Sequence, residues 1–138
     1  MVSLSNAEIT LLMECGFIYL DFGKYQQARE VFEGVAVLEP KSELPLVAMG
    51  AVFFAQYRFD QAIRVYKKAL TLKPDSAFAK AYLGESLFFH GKKDEAMVEL
   101  EKSSLLDPQG QAGNFARALM DAIQKGFIPP PRKAVASH

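Results

Sequence analysis

The side chains that most often move protons, bind metals or attack carbonyls near neutral pH are histidine, cysteine and clustered carboxylates. This chain holds two histidines, His90 and His138, and one cysteine, Cys15. No HExxH pair, no phosphate-cradling glycine loop and no second cysteine accompanies them. His90 falls near the C-terminus of a predicted helix, where a solvated imidazole interacts favourably with the helix dipole, and that reading outweighs a base or a ligand. Cys15 has no partner for an internal disulfide, and its place in the helical pattern predicts a small buried hydrophobe instead of a reactive thiol. Gly91-Lys92-Lys93 reads as a solvated turn more readily than as a phosphate contact. The expectation is no enzyme: no catalytic residue, no cofactor and no metal site.

Composition narrows the classes further. Of the 138 residues, 50% are hydrophobic and 23% charged, the proportions of an ordinary globular chain with enough apolar surface for a core. Sixteen Lys plus Arg balance sixteen Asp plus Glu. With no overall basic field, nucleic acid and anionic membrane are not expected partners. The start MVSLSNAEIT lacks the basic and apolar run of a signal peptide, so a cytoplasmic location is expected. The densest apolar run, LVAMGAVFFA over 46–55, falls short of the ~18–20 residues that cross a bilayer, so no membrane insertion is expected.

What positions the side chains is a repeat. Shifted by 34 residues, the sequence superposes Gly16, Gly50 and Gly84; Ala28, Ala62 and Ala96; Leu38, Leu72 and Leu106; Pro40, Pro74 and Pro108. Bulky residues coincide too, as Phe32, Tyr66, Leu100 and as Tyr19, Phe53, Leu87. Each unit reads as two amphipathic helices about a turn, predicted at 7–22, 25–38, 43–56, 59–72, 77–90 and 93–106. Ser5-Asn6-Ala7-Glu8 offers a capping box, and each proline ends its unit by lacking an amide hydrogen. A mid-helix glycine costs about 1 kcal/mol relative to alanine, so close packing against the small residues at 28, 62 and 96 is the expected compensation.

The period and residue order resemble the tetratricopeptide repeat. The resemblance is carried by Leu12, Cys15, Gly16, Tyr19, Ala28, Phe32, Val35 and Pro40, and by their counterparts in the two following units. Lys80 departs from the pattern where a large apolar residue is usual. The resemblance implies an all-α, right-handed superhelical solenoid of three helix-turn-helix repeats at about 9–42, 43–76 and 77–110. Phe115, Leu119, Ala122 and Ile123 then predict a capping helix at about 111–125, completing a single domain over 1–126. Residues 127–138, opening FIPPP, are expected to form a Pro-rich flexible tail.

By the same resemblance the first helix of each unit lines a concave groove. The expected groove residues are Met13, Phe17, Leu20, Leu44, Val47, Phe54, Phe78, Ala81, Glu85, Phe88 and Phe89, with Leu20, Phe54 and Phe88 forming an apolar row. Members of the family that grip a C-terminal carboxylate use lysine and asparagine where this chain has Met13 and Phe17, so the resemblance disfavours that activity. It implies instead a partner protein held through a hydrophobic segment or amphipathic helix, with a homodimer over an unfilled groove as another outcome. In style the chain is similar to the small chaperones of bacterial type III secretion, which hold translocator or needle subunits. A scaffold or adaptor for a multiprotein complex is the alternative reading.

Overall fold

The computed structural model describes residues 3–130, and the remainder of the predicted tail, 131–138, lies outside the described residues. Seven helices follow one another: α1 Asn6–Asp21, α2 Tyr25–Leu38, α3 Leu44–Ala55, α4 Phe59–Leu72, α5 Ala77–Phe89, α6 Lys93–Leu106 and α7 Gln111–Gln124. No strand occurs among the described residues. Each helix packs on the next, and α1, α3, α5 and α7 also touch in sequence along one side. The fold is therefore a two-layer helical solenoid, with α2, α4 and α6 as the outer layer.

Local chemistry sets the ends of these helices. Ser5 accepts the amide hydrogen of Glu8, whose carboxylate accepts that of Ser5, closing the capping box at the head of α1. The turn within each unit repeats in atomic detail. Lys24, Arg58 and Lys92 donate their amides to the carbonyls of Tyr19, Phe53 and Leu87 at 2.8–2.9 Å. Such a turn needs one left-handed residue, supplied by Gly23 (φ 72°), Gly91 (φ 84°) and, without glycine, by Tyr57 (φ 61°). A left-handed backbone is unfavourable for a residue with a Cβ, and the Tyr57 ring lies 5.8 Å from that of Phe59.

The packing differs from expectation at the glycines. A Cβ on Gly16, Gly50 or Gly84 would meet the side chain of Phe32, Tyr66 or Leu100 at less than 3.0 Å. The partner of each glycine is thus the large side chain sixteen residues on. Ala28, Ala62 and Ala96, all fully buried, let the backbones approach, while the big side chain lies flat in the space that the glycine vacates.

The third unit accommodates its polar departures. Lys80 on α5 faces Glu99 on α6 at 3.8 Å, and Lys102 approaches the other oxygen of Glu99 at 3.7 Å. Ser103, fully buried where the earlier units have Val35 and Ala69, donates its hydroxyl to the carbonyl of Ala77 at 2.8 Å. That bond offsets the cost of burying a polar group.

The two ends of the solenoid are unlike. At the C-terminal end Asp107 accepts hydrogen bonds from the amides of Ala112 and Gly113, starting α7, which covers α5 and α6. At the N-terminal end nothing among the described residues covers the face of α1 turned away from α2 and α3, and Leu11, Cys15, Ile18 and Phe22 form an exposed stripe there. Cys15 is therefore exposed instead of buried, because its packing position faces the side on which no earlier unit stands.

Candidate functional site

Three first-layer helices present apolar side chains to one groove. Met13 and Phe17 come from α1, Leu44 and Val47 from α3, and Phe78 and Tyr82 from α5, around a volume of about 750 Å³. The placement follows from helical spacing, since residues three or four apart share a face. Phe17, Leu44 and Phe78 are large hydrophobics that remain 42%, 59% and 44% exposed. An apolar concavity of this kind is where a soluble protein most often receives a ligand or partner.

The groove occupies the N-terminal and middle turns of the three helices. Among the expected residues, Met13, Phe17, Leu44, Val47 and Phe78 line it. The row Leu20, Phe54, Phe88 does not. Leu20 packs onto the cluster of Ala28, Phe32, Ala48 and Val52. Phe54 stacks against Phe59 and Phe89, with ring centroids 5.2 and 5.0 Å apart, beside the turn at Tyr57. Phe88 is 7% exposed, with Phe127 from beyond α7 lying 5.9 Å from its ring. Ala81 is fully buried. Phe88 and Ala81 are thus core residues, corrected from the expected groove. Chain returning beyond α7 covers Phe88 through Phe127, while Ala81 lies within the main apolar core.

Tyr82 is a groove residue absent from the expected set. The signal was present in the sequence, because Tyr82 stands four residues after Phe78 on the same helical face. Charged residues on the rim also escaped notice: Glu14, Glu43, Asp75 and Asp107, against a single Lys73.

Glu85 stands two turns beyond Phe78 on α5 and is partly buried. Burial pushes its carboxyl up to about 7, because the charged form loses hydration there. The hydroxyls of Tyr66 and Tyr82 are raised as well, first by their own burial and then by the Glu85 charge. No ion pair or hydrogen bond to the Glu85 carboxylate occurs among the described residues. No group of three or more His, Cys, Asp or Glu side chains suited to a metal ion is found among them either.

Comparison with known proteins agrees with this architecture. Residues 53–120 match the tetratricopeptide repeat family. No curated protein matches the sequence. The type III secretion translocator chaperone SycD of Yersinia enterocolitica superposes with a TM-score of 0.77 at 21% identity, over 86% of this chain and 91% of that one. PcrH from Pseudomonas aeruginosa gives 0.77 at 18% identity, over 88% and 96%. PcrH in complex with the chaperone binding region of PopB gives 0.75 at 19% identity, over 89% and 99%. At these identities the likeness concerns the fold.

Proposed function

We propose, from the tetratricopeptide repeat match over residues 53–120 and the repeated helix pairs, that the concave groove holds an apolar or amphipathic segment of another protein. The observation that supports this reading is the exposure of Phe17, Leu44 and Phe78, three large hydrophobics from three successive repeats, to one groove. A partner segment laid across the repeats would bury all three, and alternate side chains along an extended strand, or one face of a helix, would supply the anchors.

Within that reading the protein is a cytoplasmic chaperone of a type III secretion substrate, which shields the apolar segment of a translocator or needle subunit before export. Two fold relatives support it, SycD in complex with a peptide of the translocator YopD and PcrH with the chaperone binding region of PopB. A general scaffold or adaptor is the second reading, favoured by the same fold in the first repeat domain of Spaghetti bound to an HSP90 peptide.

Leu44→Glu combined with Phe78→Glu tests the groove. Both positions are exposed, so folding stability should change by no more than about 0.5 kcal/mol each, while co-purification of the partner is lost. Retention of the partner by the folded double variant refutes the reading. Co-expression separates the two classes: a chaperone raises the soluble yield of the translocator subunit, whereas a scaffold leaves the yield unchanged.

A further inference from the structure

A second cavity, of about 500 Å³, opens between the turns of the first two units and shares no lining residue with the groove. Lys24 and Arg29 reach it from the first unit and Arg58 from the second, beside Gln26, Gln27 and Gln56, and no carboxylate lines it. The chain as a whole is neutral, so three cations on one concavity are a local excess. Like charges gathered in a partly enclosed space repel, and the same field draws an anion in.

The individual side chains are free to answer one. Lys24 and Arg58 form no ion pair among the described residues. Arg29 is held in place: its Nε lies 3.3 Å from Glu33, and its guanidinium sits 5.6 Å from the centre of the Phe53 ring. The N–H groups on its two terminal nitrogens remain as donors. The Oε1 of Gln56 is enclosed with no hydrogen-bond partner among the described residues, and half a turn of that amide presents its NH2 group there instead.

The same place one unit further on is built otherwise. Tyr57 and Phe89 stand at the register of Gly23 and Ala55, and with Phe54 and Phe59 they line a space of only about 130 Å³. Ile63 replaces Arg29, and Asp60 replaces Gln26, as Asp94 does in the third unit. The second and third units thus carry a carboxylate of their own two residues after Arg58 and Lys92. The first unit has a neutral amide there, and it is the unit with the open, cationic cavity.

We propose that this cavity is a binding site for a phosphate group, seated between Lys24, Arg29 and Arg58. Three cations match the charge of about −1.5 to −2 that a phosphate monoester carries near pH 7 better than the single charge of a carboxylate, and each guanidinium can donate in parallel to two phosphate oxygens. The site also joins two units. Lys24 and Arg29 belong to the least-covered unit and Arg58 to its neighbour, so a phosphate between them ties the first turn to the second, and the native state gains by mass action.

The test titrates the full chain with sodium phosphate, phenyl phosphate or sodium acetate at constant ionic strength, balanced with chloride, and follows the backbone amides by heteronuclear NMR. Saturable shifts concentrated at 23–29 and 56–58 are expected with the two phosphates and not with acetate. Arg58→Gln should weaken binding at least about tenfold. Gln26→Asp, which supplies the carboxylate found at positions 60 and 94, should abolish binding while the rest of the spectrum keeps its folded dispersion. The melting temperature of the native chain should rise with phosphate at fixed ionic strength, and that of Gln26→Asp should not. Tighter binding of phenyl phosphate than of free phosphate supports a phosphate carried on a larger molecule, and the reverse order supports the free ion. Shifts that do not saturate, or that saturate elsewhere on the chain, overturn the site. Acetate binding as tightly as phosphate overturns the phosphate class, and undiminished binding by both variants removes the cavity from it.

Discussion

At the scale of single residues, the clearest consequence attaches to Glu85. Its carboxyl has an ordinary value of 4.5 in the unfolded chain and about 7 in the fold, so the folded state binds the proton more tightly. The stability that this protonation provides is full below about pH 4.5 and is lost as pH rises through 7. The loss is on the order of 3 kcal/mol. Urea melts at pH 5 and pH 8 should show it, and Glu85→Gln should flatten the difference. A slope unchanged by that substitution would assign the effect to another group. Gly50 is a second residue with a forced outcome. Alanine is intrinsically the better helix former by about 1 kcal/mol, yet its methyl would enter the Tyr66 ring, which is fully enclosed. Overpacking of this sort costs about 1–3 kcal/mol, so Gly50→Ala should lower the melting temperature. The glycine row was legible in the sequence as a recurrence. Its contact was not, because a one-dimensional alignment does not reveal which residue of the second helix lies over each glycine.

Among the elements, the helices were legible because apolar periodicity, prolines and turn glycines agree, and α2, α4 and α6 fall on their expected bounds. The groove was legible only in part. Sequence spacing identifies the inward face of a helix, but not how far along that face neighbouring chain lies over it. Phe127 covering Phe88 is such a case, since the two are joined by contacts that local pattern does not encode. The linkage from α6 to α7 is another. Asp107 ends one helix and caps the next through the amides of Ala112 and Gly113. Asp107→Ala should cost about 1 kcal/mol, and hydrogen exchange should quicken first in the opening turn of α7. Uniform acceleration across all seven helices would mean that the cap is not a local device.

For the whole molecule, burial is uneven along the chain. Gly16 is the sole buried residue of α1 among those described, whereas α5 buries seven, and the family match at 53–120 falls on the better-packed part. In a solenoid each unit depends on its neighbours, so the least-covered end is the first to open.

The exposed stripe on α1 has its counterpart on α7. Leu11, Cys15, Ile18 and Phe22 repeat at the same intervals as Asn114, Ala118, Asp121 and Lys125, which are exposed on the far end of the solenoid. One terminal face is adhesive and the other is wettable. Head-to-tail stacking joins two different faces and grows without limit, whereas joining two identical faces closes on itself. Association through α1 would therefore close at two copies. Sedimentation across a concentration series should resolve monomer and dimer with no higher ladder, and Ile18→Glu should leave monomer alone. A ladder would mean that α7 is not the wettable terminus its sequence describes. The helix that closes one end of the repeat thus makes the two terminal helices unlike: α1 turns an apolar stripe outward where α7 turns a polar one.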